Sequence, residues 1–145
     1  MILVIGALSL VVMILFKTSI QDLLAETRVA TSVERIKSLF QGAVSYKAQT
    51  DRWSYDFLQD GDVLLKRKIV RIEDMTNNWG GPNIMMPAPG NPRKLMIISE
   101  GIPEMRYCDK MKTLIDTTFG KEVSLTECGK SQVKGVKLSV AFAEK

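Results

Sequence analysis

With 145 residues, 46% of them apolar and 25% charged, the chain has room for one domain plus an extension that need not share its core. A formal net charge of +4 gives a weak attraction to acidic surfaces but not the dense, face-clustered charge of a nucleic-acid module, so no nucleic-acid partner is expected. There is no histidine, which removes Ser-His-Asp and Cys-His catalytic sets and the usual zinc ligands; the expectation is a protein that is not an enzyme and holds no metal or cofactor.

The chain opens on an uncharged run, Met1-Ile2-Leu3-Val4-Ile5-Gly6-Ala7-Leu8-Ser9-Leu10-Val11-Val12-Met13-Ile14-Leu15-Phe16, followed by Lys17. As a helix it would be about 24 Å long, somewhat short of the roughly 30 Å hydrocarbon core of a bilayer. Three readings compete. A cleaved secretory signal would carry a basic segment before the run and a small-residue cleavage site after it. A single-pass anchor fits the polarity but not the helical continuation beyond Lys17. The third is the stalk of a subunit that packs against copies of itself, with Gly6, Ala7 and Ser9 as points of close approach.

From Lys17 onward the apolar pattern becomes periodic, with Ile20, Leu23, Leu24, Thr27, Ala30, Val33, Ile36, Phe40, Ala43, Val44 and Lys47 at spacings of three and four. No proline occurs before Pro82, so the sequence predicts one helix from near Met1 to about Lys47, any break falling near Gly6 or Ser9. Residues 1–24 form the hydrophobic half of that helix, facing lipid or a filament core. Residues 25–145 form a head that includes its amphipathic half.

Residues 51–71 read as a loop-rich connector around Trp53, Tyr55, Leu58, Leu64 and Leu65. Asn77-Asn78-Trp79-Gly80-Gly81-Pro82 is a run of turn formers around one aromatic. Ile84 to Met86 is a short strand, Pro87 to Pro92 a turn, and Lys94 to Ser99 a buried strand apolar on both faces, together a hairpin. Ile102-Pro103-Glu104 opens a second helix with Met105, Cys108, Met111 or Lys112, and Ile115 at helical spacing, ending at Gly120. A weak strand, Val123 to Leu125, leads to Cys128, and alternation from Val136 to Phe142 predicts a last strand. The fold class is α+β: a long N-terminal helix on a small antiparallel sheet with a second helix.

Cys108 and Cys128 fall in the part read as exported, which favours a disulfide. A redox or metal pair is the rival, without Cys-x-x-Cys spacing or histidine to support it. Gly129-Lys130-Ser131 looks like the end of a phosphate loop but lacks the earlier glycine and the following helix, and reads as a surface turn. Asp109, Asp116, Glu122 and Glu127 match no calcium-loop spacing. Trp53, Tyr55 and Trp79 could form a sugar-binding set, although loop aromatics more often plug the edge of a core.

An apolar helix running into an amphipathic one, a late cysteine pair and a terminal strand resemble the type IV pilins, in particular the type IVb group. Leu39-Phe40-Gln41-Gly42-Ala43-Val44-Ser45-Tyr46, Asn78-Trp79-Gly80-Gly81, and Ile102-Pro103 followed by Cys108 look most like the PilS-type major pilin of thin conjugative pili. The resemblance covers nearly the whole chain. It implies a structural subunit in the bacterial inner membrane before assembly, trimmed by a prepilin peptidase. Assembly machinery would then polymerise it as a homo-oligomer into an extracellular helical filament for adhesion, cell contact or conjugation, with Met1 to Phe16 in the core. The family normally carries a glutamate a few residues into the mature chain, and Met1 to Phe16 contains no acid; either the chain as given starts just downstream of it or the subunit docks differently. Alternatives are a type II secretion pseudopilin, which commonly binds calcium and often lacks the disulfide, and a membrane-anchored binding domain.

Overall fold

A computed structural model describes the backbone of residues 2–60 and 62–144, and the side chains of residues 23–59 and 62–144. Helix α1, Ile2–Gln49, is 48 residues long and runs unbroken through Gly6 and Ser9. At 1.5 Å per residue it measures about 72 Å. It stops because Asp51 adopts a left-handed conformation (φ 52°), which lets the Arg52 N–H bond to the Lys47 carbonyl at 3.0 Å and the Asp51 N–H to that of Ala48 at 3.3 Å. This closes the helix end in the way a glycine usually does.

The face that α1 buries is narrower, and begins later, than the periodicity predicts. Val29, Ser32, Val33, Ile36, Leu39, Phe40, Ala43 and Tyr46 are buried, while Leu23, Leu24, Thr27 and Ala30 of the expected stripe are exposed. Among the described residues, full burial on α1 begins at Val29. Upstream of it Leu23, Leu24 and Thr27 are exposed and Ala25 is half-buried.

Four antiparallel strands lie in the order β1-β2-β4-β3: β1 Asn83–Ala88, β2 Asn91–Ile102, β3 Val123–Lys130 and β4 Val136–Phe142. The register sets Ile97 beside Val140 and Val140 beside Thr126, and likewise Ser99 beside Leu138 and Leu138 beside Cys128. These rows face α1 and the second long helix, α3, Met105–Phe119. In the middle Phe40 stacks on Phe142 with centroids 4.3 Å apart, and Phe119 meets both rings edge-on at 5.3 and 5.2 Å.

The hairpin is longer than predicted. Pro87 lies inside β1 and Pro92 inside β2, and the turn shrinks to the residues between Ala88 and Asn91. An edge strand tolerates a proline, and the register shifts between Pro87 and Ala88. β2 is internal, yet only its Leu95 and Ile97 face is fully buried; Met96 and Ile98 are half-buried on the outer face, against the expectation of two covered faces. In α3, Cys108, Met111 and Ile115 point inward as predicted, but Met105 is exposed.

The connector is more ordered than its loop-rich sequence implies. It forms a 3₁₀ turn at Asp56–Asp60 and one short helical turn, α2, Val63–Lys66, and a second 3₁₀ turn, Ile72–Met75, follows directly after the connector. Tyr55, Phe57, Leu58, Leu64 and Val70 are buried, so the segment is a flank of the core rather than a tether. A Cβ at Gly42 would lie 2.7 Å from Val70 Cγ1, which shows how closely this flank approaches α1.

Candidate interaction site where the long helix leaves the head

The site is set up by a turn. Asn77 is buried, and its side-chain oxygen accepts the N–H groups of Trp79 (3.0 Å) and Gly81 (3.1 Å). Its amide donates to Ser99 Oγ (2.9 Å) and the Glu100 carbonyl (2.6 Å) on β2. The Asn78 N–H donates to Ser32 Oγ at 3.0 Å and Arg35 donates to the Thr76 carbonyl at 3.0 Å, fastening the same turn to α1. Gly81 is required for a close approach, since a Cβ there would stand 1.8 Å from the Glu100 carbonyl oxygen.

Held in this way, Trp79 stacks on Tyr107 in the first turn of α3, with centroids 5.6 Å apart and planes 18° from parallel. Arg106 hydrogen-bonds Glu104, lies over the Tyr107 ring at 4.9 Å and donates to the Tyr107 hydroxyl at 3.0 Å. The bond to Glu104, then the one to Tyr107, raises the guanidinium pKa above its ordinary value. Across from these, α1 contributes Leu24, Ala25 and Arg28. The result is a cleft of about 400 Å³ that also takes in Pro103 and Lys110. Glu104 is engaged by Arg106, and among the described residues neither Arg28 nor Lys110 has an ion-pair partner.

Cys108 and Cys128 are joined, with Cα atoms 6.1 Å apart, tying α3 to β3. The aromatic set Trp53, Tyr55 and Trp79 is not assembled. Tyr55 is in the core beside Phe57, Trp53 is exposed under Arg93, and Trp79 belongs to the cleft. Gly129 and Lys130 end β3 rather than making a surface turn; the turn comes after them, with Ser131 Oγ accepting from Val133 N–H at 3.1 Å. Asp116 accepts a hydrogen bond from Thr126 at 2.9 Å. The filament-core residues Met1 to Phe16 lie outside the residues whose side chains are described, and among the described residues no helix is long and apolar enough to cross a membrane.

Arg28, Arg106, Tyr107 and Lys110 belong to no motif in the sequence. The available signal was spacing: Leu24 and Arg28 are one turn apart on α1, and Arg106 and Lys110 one turn apart on α3. Compared with family models, with curated proteins and with solved structures, the chain matches none of them. Fold and site together define an α+β head, closed by a disulfide, on a helix that continues past its packed half and leaves beside a cationic, aromatic cleft.

Proposed function

We propose that the chain is a type IV pilin-like structural subunit, held in the bacterial inner membrane before assembly and polymerised through its N-terminal helix into an extracellular filament. The observation that carries this reading is the division of labour within α1. One unbroken helix is buried in the head between Val29 and Tyr46, while the same helix carries the uncharged run Ile2 to Phe16 at its other end. A helix of this length with so apolar a half calls for lipid or neighbouring subunits along that half. The bonded Cys108–Cys128 pair supports an exported head and favours a pilus over a secretion pseudopilin.

Because lipid tails are as apolar as the run itself, association in the filament core must come from close packing at small residues. Gly6→Leu is therefore expected to lower the yield of sheared surface filaments seen by negative-stain microscopy, with the head's disulfide intact. The absence of filaments from cells producing the unaltered chain, or polymerisation of the head without residues 1–26, would overturn the proposal.

A further inference from the structure

The cleft where α1 leaves the head is built: its aromatic wall, Trp79 and Tyr107, packs against the core and at the same time lines the cleft. Three elements converge on it, the Asn77 turn fixes its aromatic wall, and its cations outnumber its acids. We propose that this cleft docks on the phosphate headgroups of an anionic phospholipid membrane, holding the head against the bilayer before assembly; the inference rests on the membrane-inserted helix proposed above.

Four features favour phosphate. Arg28 and Lys110 are unpaired among the described residues, and Arg106 keeps donors in a planar fork suited to phosphate oxygens. Pro103, Glu104 and Arg106 place the N-terminal end of α3 at the same cleft; its N-cap Glu104 makes no capping hydrogen bond and is paired with Arg106, and the first turn carries no acid. Its first N–H groups and the helix dipole add to the attraction for an anion. Trp79 and Tyr107 supply the amphipathic rings that settle at headgroup depth.

Position favours a membrane as the source. Ala25 is nine residues from Phe16 along one helix, or about 13 Å at 1.5 Å per residue. The interfacial layer itself is about 5–8 Å deep on each side. Side chains on α1 lean toward its N-terminus, which brings Arg28 back toward the bilayer. The gap left at Ala25, roughly 6–9 Å, is comparable to one Debye length, about 8 Å at physiological salt. Leu23, Leu24 and Met105, exposed beside the cleft, would be covered by the same surface.

The chain has only two tryptophans, which supplies the test. The full chain carrying Trp53→Phe reports from Trp79 alone, and the Trp79→Phe chain from Trp53 alone. Each is reconstituted into phosphatidylglycerol or phosphatidylcholine vesicles containing a headgroup spin-labelled lipid, and vesicle flotation verifies insertion. Trp79 is expected to be quenched more strongly in the anionic vesicles, with Trp53 unquenched in both. The combined change Arg28→Gln, Arg106→Gln and Lys110→Gln should abolish the preference for anionic lipid. A chain that floats with vesicles but shows no quenching of Trp79 overturns this inference and leaves the filament proposal standing. So does a Trp79 emission that shifts with protein density in phosphatidylcholine, which would assign the cleft to a second copy of the chain. A chain that does not float overturns the membrane-inserted helix, and this inference with it.

Discussion

Asn77 holds three parts of the molecule together with one side chain: its own turn, strand β2 through Ser99 and Glu100, and the stacked Trp79. Asn77→Ala leaves buried N–H and carbonyl groups without partners, at an expected cost of about 2–4 kcal/mol in urea denaturation. The near-ultraviolet circular dichroism of the Trp79–Tyr107 pair should weaken with it. Asn77→Asp should not rescue, because a carboxylate has no proton to give the Glu100 carbonyl. Gly81→Ala acts on the same joint by displacing the turn from β2, and should cost about 1–3 kcal/mol. Tyr55 provides a pH signature. Burial raises its phenol pKa, so above about pH 10 the unfolded chain has lost a proton that the folded chain keeps. Its contribution to stability is complete below that pH and is lost as pH rises through the folded value, at up to about 1.4 kcal/mol per unit. Comparing stability against pH for the unaltered chain and Tyr55→Phe checks this; only the former should show the extra slope.

Among the elements, those with strong periodicity and clear ends were legible in the sequence. The long helix, the second helix between Pro103 and Gly120, and the alternating last strand lie where apolar spacing predicts them. What periodicity could not convey is coverage. Thr27 and Ala30 have the right spacing for a core stripe but are exposed: Thr27 lies before the buried stretch that begins at Val29, and Ala30 within that stretch sits beside the narrower face formed by Val29, Ser32 and Val33. Pro87 and Pro92 argue for a turn locally and are overruled by pairing at the edge and end of the hairpin. The connector hid its order because short 3₁₀ turns bury Tyr55, Phe57 and Leu58 without a repeating period. The cleft was illegible for a related reason, since its residues come from three segments distant in sequence: α1 and α3, which pack on each other, and the turn at Asn77. The disulfide joins α3 to β3 across a separation of 20 residues, and its removal by Cys108→Ala with Cys128→Ala is expected to cost about 3 kcal/mol. Denaturant melting of the oxidised and doubly substituted chains measures it.

At the scale of the whole molecule, one helix belongs to two environments: its C-terminal half is core of the head and its N-terminal half carries the uncharged run. A load pulling on the N-terminal end of α1 would therefore enter the head through side-chain packing along Val29 to Tyr46. The Ser32 and Arg35 hydrogen bonds lie in the same path. The covalent crosslink lies elsewhere, between α3 and β3, and carries none of that tension until α1 has been stripped away. Under stretching in an optical trap the head should yield first by α1 peeling from α3 and the sheet. Reduction of the disulfide should leave the force of that first event nearly unchanged and lengthen only the later extension. On that outcome the seam along α1 decides when the head begins to unravel, and the crosslink decides how far.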